Sequence, residues 1–225
     1  MKKTLIIISI VLNIAAFSGA SVIWFNLDNV LKSMFEARTV RLNSQFDTLS
    51  QRPVKVVFVG DSITEGGLWN ELFPGVEIAN RGIGGNTTSD ILVRMNQVFK
   101  LKPEKLFVMV GVNDLNMKLG PNVAIANYSE IFNLIDKNLP KTKVYIQSVL
   151  PVNDAWEMTD NTHIPELNRA LKSLADRRGY TYIDLHSAFS NTRGQLRANL
   201  SNDGIHLLGT GYELWRREIV KLVRE

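Results

Sequence analysis

Asp203 and His206 stand three residues apart in Asp203-Gly204-Ile205-His206. That spacing lets the carboxylate fold back onto the imidazole Nδ1 and leaves Nε2 free to take a proton. A base held in this way needs a hydroxyl to act on. The chain offers one in Gly60-Asp61-Ser62-Ile63-Thr64-Glu65-Gly66, where an apolar run ends and a helical turn begins, a position that exposes Oγ. Ser62 followed three residues on by Glu65 also reads as a capping box. The two roles are compatible, because a helix N-terminus favours developing negative charge. The chemistry would be attack by Ser62 on an ester carbonyl, with His206 as base and Asp203 holding the imidazole tautomer.

Two further loops carry groups suited to a charged intermediate. Asn80-Arg81-Gly82-Ile83-Gly84-Gly85-Asn86-Thr87-Thr88 has three glycines in four positions, which allows backbone N–H groups to approach a ligand oxygen closely. A tight turn alone would also explain those glycines. A dinucleotide loop would not, since Thr87 stands where glycine or alanine is required. Gly111-Val112-Asn113-Asp114 sets an asparagine just past another apolar run, as a turn former or as an amide donor into the same crevice. Of the other two histidines, His163 sits at a helix start and His186 follows Asp184-Leu185, which makes His186 the rival base; only His206 has an acid at the right spacing. No two histidines share a helical face, so metal ligation is not expected.

These loops need a frame. After Pro53 short β-rich runs alternate with longer helical ones: strands are expected at Val54–Gly60, Val76–Asn80, Lys105–Gly111, Lys143–Leu150 and Thr181–Leu185. Helices are expected at Leu68–Leu72, Thr88–Phe99, Val123–Asn138, Ile164–Arg178 and Gly211–Val223. Continuous apolar runs such as Val-Val-Phe-Val indicate strands covered on both faces. Alternation of strand and helix gives an α/β fold, a parallel sheet with helices on both sides, and ligands bind beyond the carboxyl ends of its strands.

The 225 residues carry a formal charge of +4, but the basic side chains are interleaved with acids, as in Arg216, Arg217, Glu218, Lys221, Arg224 and Glu225. That is a solvated helix face and not a nucleic-acid surface. With no cysteine, thiolate metal sites, disulfides and a cysteine nucleophile are excluded. Residues 1–25 differ from the rest: Lys2 and Lys3 precede an uncharged run from Thr4 to Phe25. This predicts a signal anchor that places the remainder outside the cytoplasm in a bacterial-type envelope, with cleavage after Ser18 and Ala20 as the competing outcome. Residues 26–52 repeat apolar positions at helical spacing and form an expected amphipathic stem, closed by Arg52-Pro53. Residues 53–225 are the catalytic domain. The oligomeric state is left open.

The four blocks, in this order, resemble the SGNH or GDSL hydrolase family over Val54 to the C-terminus. The resemblance implies a flavodoxin-like three-layer α/β/α sandwich with a five-stranded parallel sheet. It implies Ser62 as nucleophile, Asp203 and His206 as its triad partners, and an oxyanion hole from the Ser62 and Gly85 N–H groups and the Asn113 side chain. No cofactor or metal is implied. Asn80 to Thr88 and Tyr145 to Asn153 look most like the sialate O-acetylesterase-like or platelet-activating-factor acetylhydrolase-like branch. Short acyl groups, acetyl first, on a carbohydrate alcohol are expected because Trp156 lies among Asn153, Asp154, Glu157, Asp160 and Asn161, a setting suited to stacking on a sugar. Trp69 is a second candidate platform or a core residue. Lysophospholipid hydrolysis, acyl transfer to an envelope polymer, and non-catalytic binding are the alternatives.

Overall fold

Five strands, β1 (Val56–Gly60), β2 (Ile78–Gly82), β3 (Lys105–Met109), β4 (Lys143–Gln147) and β5 (Thr181–Ile183), pair in the order β2-β1-β3-β4-β5. Every pairing is parallel. The structure, a computed structural model, describes residues 27, 29–30, 32–49 and 52–225. β1 and β3 are buried along their whole length, as expected of strands covered on both faces. All five expected strands are present. β2 lies two residues further along than its hydrophobicity indicates, because Gly82 pairs with Gly60 and carries the ladder to the end of β1.

The helices are α1 (residues 32–49), α2 (Ser62–Glu65), α3 (Trp69–Leu72), α4 (Thr88–Arg94), α5 (Asn96–Phe99), α6 (Val112–Asn116), α7 (Pro121–Asn138), α8 (His163–Arg178), α9 (Leu185–Phe189) and α10 (Gly209–Arg224). α7 packs against α4 and α8, and α10 against α3 and α9, so the sheet lies between two helical layers. The expected single helix Thr88–Phe99 is broken at Met95 into α4 and α5. From β1 the chain crosses to β2 on one side and then to β3 on the other. The loops after β1 and β3 therefore flank the point where the strand order reverses, where open α/β sheets bind their ligands.

Two glycines make the close approach of α2 to the sheet possible. A Cβ on Gly60 would lie 2.2 Å from Thr64 Oγ1 and 2.3 Å from the Met109 carbonyl, and one on Gly82 would lie 2.2 Å from the Glu65 nitrogen. Any side chain there would push the Ser62 turn off the strand ends.

Trp69 belongs to the core and is not a substrate platform. It is 2 % exposed, stacks on Phe58 at 4.0 Å between ring centroids and meets Trp215 edge-on at 4.9 Å. Its indole N–H is satisfied by the Thr64 carbonyl at 2.9 Å, so the whole ring can be buried without an orphaned donor. The neighbouring Leu68 takes the outer position, 63 % exposed.

The chain divides after Gln45, and the second unit is Phe46–Glu225. The last turn of α1 belongs to this second unit: the Arg81 guanidinium lies 4.5 Å over the Phe46 ring, and Lys100 pairs with Asp47 at 3.6 Å. Further up α1, Met34, Phe35 and Val40 are more than half exposed. The uncharged run from Thr4 to Phe25 lies outside the described residues. Among the described residues no helix is long and apolar enough to cross a membrane.

Candidate active site

Ser62 is the first residue of α2, and the residue that caps that helix is Asp61, whose carboxylate accepts the Ile63 N–H at 3.0 Å. The capping box expected from Ser62 and Glu65 is therefore not formed. Because the aspartate does the capping, the serine hydroxyl is left free for another partner. Glu65 instead turns towards the glycine loop and accepts the Gly84 N–H at 2.7 Å. Burial pushes the Asp61 carboxyl up to about 7, against the Ile63 hydrogen bond and the charge of His206, both of which lower it.

The partner of the hydroxyl comes from the loop before α10. Asp203 Oδ1 accepts backbone N–H groups of Ile205 at 3.1 Å and His206 at 2.8 Å, so the D-x-x-H stretch folds into a local turn. Asp203 Oδ2 then lies 2.6 Å from His206 Nδ1, and His206 Nε2 lies 3.0 Å from Ser62 Oγ. With Nδ1 protonated and donating to the carboxylate, Nε2 accepts the Ser62 hydroxyl proton. Burial works to raise the Asp203 carboxyl, but the hydrogen bonds from His206 and Ile205 outweigh it and hold Asp203 at about 2. The site is open to solvent, with the His206 and Asp203 side chains 44 % and 40 % exposed.

The glycine loop is held on the other side of Ser62. Asn80 ties it to α2, donating to the Thr64 and Glu65 carbonyls at 3.1 and 3.0 Å while accepting the Gly82 N–H at 2.8 Å. Gly85 takes φ +78°, a conformation that L side chains rarely adopt. Among the described residues no acceptor takes its N–H. Asn113, 9 % exposed, is the second residue of α6 beside this loop; its Nδ2 donates to the Asn86 carbonyl at 3.0 Å, and its Oδ1 accepts Asn116 Nδ2 at 3.2 Å. An amide nitrogen carries two protons, so one remains for a ligand. Behind the loop, Arg94 donates to Asn86 Oδ1 at 2.7 Å and to the Gly60 carbonyl at 3.0 Å. Asp114 accepts the Thr88 N–H at 2.9 Å and joins α6 to α4.

The remaining candidates separate. Trp156 is beside the site, edge-on to His206 with 6.0 Å between ring centroids, and forms one wall of a hollow of about 310 Å³ with Asn153, Glu157 and Asp160. His186 is elsewhere: its ring faces Ser190 Oγ at 3.4 Å, its backbone N–H donates to Ser148 Oγ, and burial lowers its pKa. His163 pairs on the surface with Glu166 at 3.4 Å. A larger hollow of about 480 Å³, between Lys105 and Lys143, lies at the amino ends of β3 and β4, away from this crevice.

A family model described as GDSL-like lipase/acylhydrolase matches residues 58–214, a span that runs from β1 through the Ser62 turn to α10. The chain belongs to the GDSL-like lipase/acylhydrolase family. It is 29 % identical over 164 residues to the human platelet-activating factor acetylhydrolase IB subunit alpha2, covering 70 % of each chain. Among solved structures it is similar to a platelet activating factor structure from Streptococcus pneumonia (TM-score 0.81, 25 % identity, covering 87 % of this chain and 97 % of the other). It is also similar to a GDSL-like lipase from Bacteroides thetaiotaomicron (TM-score 0.66, 26 % identity, covering 78 % and 89 %). These likenesses agree with the three-layer sandwich and with an ester hydrolase.

Four supports of this GDSL hydrolase site escaped the sequence reading: Asp61 as cap, Asn80 and Arg94 as ties of the glycine loop, and Asn116 beneath Asn113. Asn116 left a signal, its spacing of three from Asn113 on one helix. Asp61 had a local signal as well, an aspartate directly before a helix that accepts the N–H two residues on, whereas Asn80 and Arg94 act across loops and no local pattern marks them.

Proposed function

We propose that this GDSL hydrolase is a serine esterase that removes short acyl groups, acetyl first, from a polar alcohol, with glycan hydroxyls as the favoured class. The observation that carries the catalytic part is the continuous relay Asp203–His206–Ser62, at 2.6 and 3.0 Å, ending at the first residue of a helix. Ser62 Oγ attacks the ester carbonyl as His206 Nε2 takes its proton. The oxyanion is held by the N–H groups of Ser62 and Gly85 and the second amide proton of Asn113. Collapse expels the alcohol, which takes the proton from His206. Water then attacks the acyl-enzyme with His206 again as base, and the acid leaves.

The acyl and alcohol preferences rest on Trp156 at the edge of a hollow lined by Asn153, Glu157 and Asp160, and on the acetylhydrolase relatives. Those same relatives favour a second reading, in which the ester resembles platelet-activating factor and the alcohol released is a lysophospholipid. Lys2, Lys3 and the uncharged run to Phe25 support an anchor in the cytoplasmic membrane, with the domain on its outer side. The experiment is kcat/KM for p-nitrophenyl acetate, butyrate, octanoate and palmitate, an O-acetylated sugar, platelet-activating factor and a lysophospholipid. Falling efficiency with chain length and preference for the acetylated sugar are expected. Rising efficiency with length, or either lipid outrunning the sugar, overturns the substrate assignment.

A further inference from the structure

Asn113 can act on an oxyanion only if its amide presents nitrogen, not oxygen, to the crevice, and the two ends of an asparagine amide are the same size. The structure contains a chain of hydrogen bonds with one fixed sense. At one end stands Trp156, whose indole N–H can only donate; it gives its proton to Asn116 Oδ1 at 3.1 Å. Thr159 Oγ1 donates to the same oxygen. With its oxygen occupied by two donors, Asn116 must turn Nδ2 towards Asn113, and it donates to Asn113 Oδ1 at 3.2 Å. That in turn directs Asn113 Nδ2 at the Asn86 carbonyl, which can only accept, at 3.0 Å. A donor-only group at one end and an acceptor-only group at the other leave each amide one orientation. Thr159, Asn113 and Asn86 are 8 %, 9 % and 4 % exposed, while Asn116 and Trp156 are half-buried, so the Asn113 end of the chain is the part shielded from competing water.

We propose that Asn116 is a positioning residue for the esterase reaction, which with Trp156 sets the orientation of the Asn113 amide. This rests on Asn113 serving as an oxyanion donor. It follows that the loop after β4 is coupled to the oxyanion hole: Trp156 touches His206 with its ring and Asn113, through Asn116, with its indole N–H.

Full-length Asn116→Asp is the informative variant. It keeps the oxygen that receives Trp156 and Thr159 but sets an acceptor where the donor to Asn113 Oδ1 stood, so the Asn113 amide keeps the Asn86 bond and meets a repulsive oxygen at its other end. For p-nitrophenyl acetate, kcat is expected to fall about ten- to a hundredfold, the scale of a misplaced catalytic group. KM should stay within about twofold and the melting temperature near that of the parent, because a ground-state or folding defect would move those instead. Asn116→Ala should cost a similar factor in the parent and almost nothing in an Asn113→Ala background. Unchanged kcat in Asn116→Asp, with Asn113→Ala impaired, overturns the positioning role and leaves the oxyanion assignment standing. An equal loss from Asn116→Ala in both backgrounds also overturns it. Full activity in Asn113→Ala removes the oxyanion assignment itself, and the positioning role with it.

Discussion

His206 Nε2 lies 3.0 Å from Ser62 Oγ although 144 residues separate them in the chain. Ser62 is set by the end of β1 and the Asp61 cap, His206 by the Asp203 turn before α10. Neither element contains the other's partner, so the contact exists only once the sheet has closed.

Ser62→Ala and His206→Ala are each expected to reduce kcat to background on p-nitrophenyl acetate while leaving the circular dichroism spectrum unchanged, because the members of a triad act as a unit. His186→Ala should remain active, since its ring faces Ser190. Activity above a few per cent in Ser62→Ala, or loss in His186→Ala, would reassign the site.

Asn113→Ala should lower kcat by about 10² to 10³, the usual effect of removing one oxyanion donor. Gly85→Ala should also lose activity, because φ +78° is strained for alanine even though a Cβ would meet nothing within 4 Å. Steady-state kinetics with thermal melts separates catalytic from folding effects: the expected result is a kcat deficit larger than any change in melting temperature.

Asp203→Asn should reduce kcat by about 10⁴ at neutral pH, since an amide no longer holds the productive tautomer of His206. The paired carboxylate also affects stability. Its folded pKa, about 2, is below the ordinary carboxylate value of 3.8, so its contribution is present above pH 3.8 and is lost as pH falls through 2. The melting-temperature deficit of Asp203→Asn should therefore shrink on acidification through that window, and a deficit independent of pH would contradict it.

Asp61 has the opposite sign. Burial holds its carboxyl at about 7 in the folded chain against 3.8 unfolded, so the folded state binds the proton more tightly and the native chain loses stability as pH rises from 3.8 to 7. Asp61→Asn keeps an oxygen for the Ile63 N–H and removes that ionisation. Its melting temperature relative to the native chain should climb between pH 4 and 7 and level off above. Melts across that range check it, and a flat difference would show that Asp61 is not buried as a neutral acid.

What the sequence determined by itself is what neighbouring residues decide together. Apolar runs such as Val56–Val59 and Leu106–Met109 can only be strands buried on both faces, and their alternation with helices requires a parallel sheet. The Asp203–His206 pair was legible because three residues of chain suffice to close the turn, the aspartate accepting two backbone N–H groups within its own loop. Tertiary structure decided the rest, because it depends on which groups arrive from elsewhere. Trp69 opens α3 after the Ser62 turn and Trp156 lies in the loop after β4, and either could have lined the site. Both indole N–H groups find an acceptor, and what separates them is packing: Trp69 lies among Phe58, Phe73 and Trp215, while His206 is the one ring that Trp156 meets among the described residues. The Asn113 amide takes its orientation from Asn86, which arrives on the glycine loop, and from Asn116, whose own direction is set by Trp156 and Thr159 of the loop after β4. Periodicity and spacing encode which face a backbone presents; the direction of a buried hydrogen bond is fixed only when donor and acceptor from separate loops meet with water excluded.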